Sequence, residues 1–227
     1  MNHLAIIMDG NRRWAKKQDL SIFEGYEQGI KALQRAIEAA LDCNIKYLSC
    51  YGFSSENWSR PKEEIQVLKQ LIIEYLNTQQ HILIDNEVRL LVIGEYEEFG
   101  KDIVTKIQDL EKRTANFNKL VLTIALGYGS RNEIIQAINR IIQDSKANKI
   151  PNKINSEIFS NYLFTKDMPD PDCVVRTGKE YRLSNFLLWQ LSYAELIFLD
   201  IMWPEFTKKT LEEIIATYNN RTRRHGN

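Results

Sequence analysis

The sequence predicts an α/β fold in which one domain, residues 1–227, has a mainly parallel central β-sheet flanked by helices. Short apolar segments of strand type alternate along the chain with longer segments of helical periodicity, a pattern typical of parallel sheets. With 227 residues, 44% of them apolar, the chain can bury one sizeable core. No repeat or linker-like segment divides it.

The strands are predicted from short apolar runs that end at turn-forming residues. The first run, residues 3–8, stops at Asp9, Gly10 and Asn11. Further strands are predicted over residues 45–51, 88–93, 120–126, 173–175 and 196–199.

Three helices are predicted with particular clarity. Ile30, Leu33, Ile37 and Leu41 recur at helical spacing within residues 24–42. A long helix follows Pro61, and its apolar face is unusually wide because Val67, Leu71 and Ile73 broaden it. A third helix, residues 131–143, is predicted to open with a capping box formed by Ser130 and Glu133.

Composition excludes several classes of protein. Thirty basic residues balance thirty acidic ones, so the net charge does not call for nucleic acid as a partner. Three cysteines without a CxxC pair argue against a disulfide framework or a zinc ribbon, and favour a reducing cytoplasm. Because no apolar run reaches the roughly 18 residues of a membrane span, we expect no transmembrane segment.

The first candidate site is the segment DGNRRW, which follows the first predicted strand. In open α/β sheets, ligands bind beyond the carboxyl ends of strands. Gly10 allows close approach of an anion, Arg12 and Arg13 can bind phosphate oxygens, and Asp9 can hold a divalent metal. This combination predicts a diphosphate with magnesium. The alternative is a polar turn that Asp9 caps, with Trp14 as a packing residue.

Two further polar segments follow predicted strands. FSSENWSRP offers Ser54, Ser55 and Asn57 to order a substrate or relay a proton and Arg60 to bind phosphate; alternatively, its polar residues only form turns and caps. RTGKEYRLSN supplies cationic side chains for a second anion site, or it is a solvated basic loop. Glu195, after an aromatic run, is a candidate partly buried carboxylate. No phosphate-binding P-loop or histidine metal motif is present.

Taken together, HLAIIMDGNRRWA, YGFSSENWSRPKEE and RTGKEYRLSNFLLWQLSYAELIF resemble, in order, the three signatures of the cis-prenyltransferase family, specifically its bacterial undecaprenyl diphosphate synthases. This resemblance spans nearly the whole chain. It implies a cytoplasmic homodimer, peripheral at the membrane that receives its product, with a hydrophobic product tunnel beside the Pro61 helix. The implied reaction is magnesium-dependent condensation of isopentenyl diphosphate with farnesyl diphosphate to undecaprenyl diphosphate, a carrier-lipid precursor for cell-wall synthesis.

The resemblance also implies roles for individual residues. Asp9 and Glu195 would bind Mg²⁺, and Asn57 would assist proton removal. The allylic diphosphate would contact Gly10, Asn11, Arg12, Arg13, Trp14 and Tyr26. Isopentenyl diphosphate would contact Arg176, Arg182, Leu183 and Ser184, and Ser54, Ser55, Glu56, Trp58 and Arg60 would close around the reacting ends.

Some positions depart from the family pattern. Ile22 and Tyr26 stand where the family usually has Arg and His, and Arg12 stands in a stretch that usually reads GNGRW. Lys179 replaces a usual Gly and Tyr181 a common His. We expect added charge at Arg12 and Lys179 to compensate for the missing basic pair. Alternatives are a synthase of shorter products, a non-catalytic partner subunit, or a magnesium-dependent phosphatase.

Overall fold

A sheet of parallel strands runs through the molecule, as seen in a computed structural model that describes residues 1–151 and 153–221. The strands are β1 (His3–Ile7), β2 (Tyr47–Ser54), β3 (Val88–Ile93), β4 (Leu120–Tyr128), β5 (Cys173–Arg176) and β6 (Glu195–Phe198). Their order in the sheet is β3-β4-β2-β1-β5-β6, and every pair is parallel. The parallel sheet predicted from the sequence is thus confirmed.

Helices cover the sheet. They are α1 (Asn11–Lys17), α2 (Ile22–Asp42), α3 (Lys62–Thr78), α4 (Gln80–Asp85), α5 (Lys101–Thr114), α6 (Ser130–Lys146), α7 (Ser156–Ser160) and α8 (Lys208–Asn220). Within the described ranges, no helix is long and apolar enough to span a membrane. The sequence RTRRHG, residues 221–226, resembles the basic C-terminus of the family, and of its residues only Arg221 lies within these ranges.

The predicted capping box of α6 is wrong. Gly129 is the N-cap residue, and Ser130 is already inside the helix. Glu133 is buried and turns away from the helix end, accepting hydrogen bonds from the Tyr128 hydroxyl at 2.6 Å and the Phe164 amide at 2.8 Å. Tertiary contacts therefore override the local cap.

The core has a layer on each face of the sheet. On one face, Ala32, Ala36 and Ile37 of α2 pack with Leu4 and Leu48 of the strands. On the other face, Phe186, Leu187 and Leu191 pack against Ala5 and Val174, so an irregular segment serves here in place of a long helix. All five residues of β1 are buried as a consequence.

Helix α5 protects the outer edge of the sheet at β3. Edge strands expose unpaired amides that can template pairing with another chain. The Thr114 hydroxyl accepts the Leu90 amide at 3.0 Å, and a Glu111 carboxylate oxygen accepts the Val92 amide at 2.7 Å. Side chains of α5 thus satisfy amides that a further strand would otherwise bond.

We expect Thr114→Val to lower the free energy of unfolding by about 1–3 kcal/mol, because the buried Leu90 amide would lose its acceptor. Thr105→Val is the matched control: both hydroxyls donate to a carbonyl one turn earlier in α5, but Thr105 is exposed. Urea denaturation of both variants measures the difference. Equal losses would show that the edge contact contributes nothing.

Candidate active site

The candidate site lies at the topological switch point of the sheet, beside β1. From β1 the chain continues to β2 on one side, whereas β5 and β6 lie on the other side. Ligands in open α/β sheets bind at such switch points, beyond the carboxyl ends of the strands. Asp9 follows β1 here, and Arg176 is the last residue of β5.

Close backbone contacts fix the two loops against each other. The Asp9 amide donates to the Thr177 hydroxyl at 3.1 Å, and that hydroxyl donates to the Asp9 carbonyl at 2.7 Å. Gly178 has φ +89°, and a Cβ there would lie 2.8 Å from an Arg13 guanidinium nitrogen and 3.0 Å from the Asp9 carbonyl. A glycine at 178 therefore lets the loop after β5 approach Asp9 closely.

Asp9 is the centre of an ion-pair network. One carboxylate oxygen accepts from Arg13 at 3.1 Å, and the other accepts from Arg176 at 2.9 Å. Glu180 binds the second guanidinium nitrogen of Arg13 at 3.1 Å and also pairs with Arg182. The carboxylates of Asp9 and Glu180 thus connect three arginines that come from both ends of the chain.

Arg176 is buried, while Arg182 is largely exposed. Besides Asp9, Arg176 donates to the Ser184 hydroxyl at 2.7 Å and to the Arg182 carbonyl. This places the guanidinium and hydroxyl groups of the predicted second anion site side by side.

A second network surrounds Glu64, in the first turn of α3. Glu64 accepts from the Tyr26 hydroxyl at 2.7 Å and pairs with Arg60 at 3.0 Å and Arg12 at 3.3 Å. Arg60 also donates to the Tyr26 hydroxyl at 2.8 Å. Burial raises the pKa of Tyr26, and the hydrogen bond to Glu64 raises it further, while the nearby charge of Arg60 lowers it in part. The net effect is a raised pKa, so the phenol stays protonated.

The segment after β2 lines the facing wall. Asn57 accepts the Ser54 amide through Oδ1 at 3.1 Å, which orients its side-chain amide. Asn185 donates to Glu56 at 3.0 Å and accepts the Arg131 amide at 2.9 Å, so it ties this segment to α6. Burial alone would raise the pKa of Glu56, but hydrogen bonds, first that from Asn185, leave it below its usual value.

These groups enclose a polar pocket of about 1100 Å³. Six cationic side chains and four carboxylates line it, so its electrostatic balance favours an anion. An apolar cavity of about 160 Å³ adjoins it between α2, α3 and the sheet. The walls of both spaces share Met8, Asn11, Tyr26, Gly52, Phe53 and Leu68. A ligand with an anionic head and an apolar tail would fit this arrangement.

The carboxylates of the pocket suit magnesium only when a ligand completes the site. Within the described ranges, no group of three or more His, Cys, Asp or Glu residues could hold a metal by itself. Mg²⁺, however, is commonly bound by one or two carboxylates together with substrate phosphates. Asp9, whose side chain is 30% exposed among arginines, fits that shared mode of binding.

Most of the predicted site residues meet at this pocket. Those on its wall are Asp9, Gly10, Asn11, Arg12, Arg13, Tyr26, Ser54, Glu56, Asn57, Arg60, Arg176, Arg182 and Ser184. Trp14, Ser55, Trp58 and Leu183 are not on the wall. Trp58 packs edge-on against Phe53 at 4.7 Å between ring centroids, and Leu183 packs on the core, so these two lie in packed positions.

Within this chain, Glu195 does not lie beside Asp9, and its assignment as a magnesium ligand stays a prediction. The register of the parallel strands pairs Glu195 with Cys173, at the amino end of β5, whereas Asp9 lies past the carboxyl end of β1. Its carboxylate binds Arg221 at 2.6 Å instead. Lys179 is likewise exposed and off the pocket wall, so of the two expected compensating charges only Arg12 reaches it.

Sequence reasoning missed Glu64, Glu180 and Asn185. Each lies within or beside a segment that was singled out for its cationic or hydroxyl groups. For Glu64 and Glu180 the sequence signal was an acid close to an arginine, but which arginine each carboxylate binds depends on contacts between distant segments. Glu180 pairs with Arg13 across most of the chain.

Comparison with known proteins agrees with this geometry. Residues 7–226 match the family model described as "Putative undecaprenyl diphosphate synthase". Isoprenyl transferase from Fusobacterium nucleatum is 45% identical, over 99% of this chain and 95% of the relative. Its counterpart from Thermotoga maritima is 42% identical, over 99% and 96% of the two chains.

Solved structures show the same architecture. Lavandulyl diphosphate synthase from Lavandula x intermedia, in complex with dimethylallyl diphosphate, superposes with a TM-score of 0.96 at 28% identity, over 100% of this chain and 98% of that one. A probable undecaprenyl diphosphate synthase from Campylobacter jejuni superposes with a TM-score of 0.83 at 36% identity, over 100% and 99%. With the matched sequence family, the shared fold and the arginine-lined pocket taken together, this chain belongs to the undecaprenyl diphosphate synthase family of prenyltransferases.

Proposed function

We propose that this prenyltransferase condenses farnesyl diphosphate with isopentenyl diphosphate, with Mg²⁺ as cofactor, and repeats the step to form undecaprenyl diphosphate. The observation that carries the proposal is an arginine-lined polar pocket around Asp9 that opens into an apolar cavity. A diphosphate would occupy the pocket, and the hydrocarbon tail would enter the cavity.

Two groups of side chains suit two diphosphates. Arg12 and Arg13 suit the allylic substrate, because Arg12 is connected through Glu64 to Tyr26, which lines both the pocket and the cavity, and Arg13 lies beside Asp9. Arg176, Arg182 and Ser184 suit isopentenyl diphosphate, because their donors converge beyond β5. Arg176 also contacts Asp9, so it connects the two sites.

The reaction breaks the bond between C1 of the allylic group and its diphosphate oxygen, and joins C1 to C4 of isopentenyl diphosphate. C2 of the latter then loses a proton. Magnesium held by Asp9 and the substrate would neutralise charge on the departing diphosphate. Arg13 and Arg176 would stabilise the same charge by charge-assisted hydrogen bonds. Asn57, an amide oriented by the Ser54 backbone, would direct the proton's departure rather than accept it, since an amide is a poor base.

A shorter product is the second candidate. Two observations favour it: the apolar cavity measures only about 160 Å³, and the solved structure that superposes with a TM-score of 0.96 is that of lavandulyl diphosphate synthase. We retain the long product because residues 7–226 match the family model described as undecaprenyl diphosphate synthase, and because the probable undecaprenyl diphosphate synthase from Campylobacter jejuni is 36% identical to this chain, against 28% for lavandulyl diphosphate synthase. Chromatography of the product separates the two candidates.

We further propose that the chain forms a homodimer and works at the face of a membrane that receives its product. Apolar side chains are exposed on α6, at Ile135, Ile138 and Ile142, and near the last signature, at Tyr193 and Leu196. Exposed apolar patches of this kind commonly mark interaction surfaces.

We expect Asp9→Asn to lower kcat at least about a hundredfold, because stabilisation of the leaving diphosphate is lost. The fold should persist, since asparagine keeps an oxygen for Arg176. Steady-state assays with Mg²⁺ and both substrates test this, with the exposed Asp167→Asn as the control. Near wild-type turnover of Asp9→Asn would contradict the assignment.

We expect Arg182→Ala to raise the KM for isopentenyl diphosphate about tenfold, while the KM for farnesyl diphosphate changes little. Its side chain is 60% exposed, so the fold should tolerate the change. Arg113→Ala, on the surface of α5, serves as the control. Equal increases for both substrates would argue against two distinct diphosphate sites.

We expect Leu71→Trp to shorten the product and Leu71→Ala to lengthen it, because Leu71 lines the apolar cavity. Val67→Trp is the matched control: Val67 lies one turn earlier in α3 and does not line the cavity, although the sequence suggested that it would. The lengths of the dephosphorylated products are compared by reversed-phase chromatography. An unchanged product in both Leu71 variants would place the tail elsewhere.

A further inference from the structure

Glu64 is a buried carboxylate whose partners come from separate parts of the chain. Arg12 lies in α1, Tyr26 lies in α2, and Arg60 precedes α3. The Glu64 side chain is only 5% exposed, whereas those of Arg12 and Arg60 are 55% and 30% exposed. The Glu64 carboxylate therefore lies behind the wall of the pocket, and the two arginines that it binds are on the wall.

This arrangement leaves positive charge facing the pocket. One carboxylate cannot neutralise two guanidinium groups, and each guanidinium has five N–H donors, of which Glu64 and Tyr26 occupy a minority. The remaining donors can bind an anion. Tyr26 lines both the polar pocket and the apolar cavity, so the cluster stands where an anionic head would meet its tail.

We propose that Glu64 is a positioning residue, which holds Arg12 and Arg60 in place for the diphosphate of the allylic substrate. These arginines then supply positive charge near a site where Ile22 and Tyr26 stand in place of the usual basic pair. The proposal rests on the proposed function of the pocket. Glu64 itself does not touch substrate; it acts through the arginines.

The physical reason is conformational entropy. A partly exposed arginine loses conformational freedom when a ligand immobilises it, and a side chain already fixed by Glu64 has lost that freedom on folding. In the opposite role, Glu64 would compete with the ligand for the arginines. The two roles predict opposite signs for the same substitution.

The test is Glu64→Gln, which keeps the size of the side chain and removes its charge. Affinities for farnesyl diphosphate alone and for isopentenyl diphosphate alone are measured by titration calorimetry in magnesium buffer, together with thermal unfolding. We expect farnesyl diphosphate to bind about tenfold more weakly, as two arginines must now be ordered on binding, and isopentenyl diphosphate to bind as in the wild type. Glu63→Gln, one residue earlier and exposed, should change neither affinity.

Each result decides the question. Tighter binding of farnesyl diphosphate to Glu64→Gln, or unchanged binding, would overturn the proposal, and so would equal losses for both ligands, which indicate a general structural defect. If Glu64→Gln does not fold, Tyr26→Phe removes one of the three partners of Glu64 and should weaken farnesyl diphosphate binding about threefold; no loss would overturn the proposal. Failure of the wild-type chain to bind either diphosphate would instead refute the proposed function.

Discussion

The contact between Asp9 and Arg176 is the constraint on which the site depends. It joins the loop after β1 to the last residue of β5, at the topological switch point of the sheet. Because Arg176 is buried, its charge requires a partner, and Asp9 supplies one. The same carboxylate lies on the wall of the polar pocket, where we propose that a diphosphate and Mg²⁺ bind. Stability of the junction and chemistry of the site therefore depend on the same pair of side chains.

The rest of the pocket follows from what is packed around that pair. The glycine at 178 brings the loop after β5 against Asp9, and α2 and α3 stand far enough apart to leave an apolar cavity beneath the polar pocket. Charge is thus concentrated at the carboxyl edge of the sheet, and apolar surface is concentrated below it. This separation of charge from apolar surface suits a ligand with an anionic head and an apolar tail.

Local patterns predicted the strands well and the polar contacts poorly. Residues 88–93 were predicted with the bounds that β3 has, since an apolar run between polar residues defines a strand by itself. The sequence S-x-x-E occurs at Ser21 and at Ser130, yet only Ser21 forms a capping box with its glutamate. Glu133 instead binds residues far along the chain, which no local pattern encodes. Similarly, Glu195 was assigned to the metal by resemblance, and the strand register places it at the opposite end of the sheet from Asp9.

The central position of β1 has a consequence for biosynthesis. Asp9 is synthesised 167 residues before its partner Arg176. Long-range pairing of this kind must bear the loss of loop entropy before its contacts can form. Until β5 is added, β1 is itself an edge strand beside β2, with apolar residues on both faces. The nascent chain therefore lacks Arg176 and Arg182, two of the six cationic side chains on the pocket wall, until β5 and the segment after it have been made.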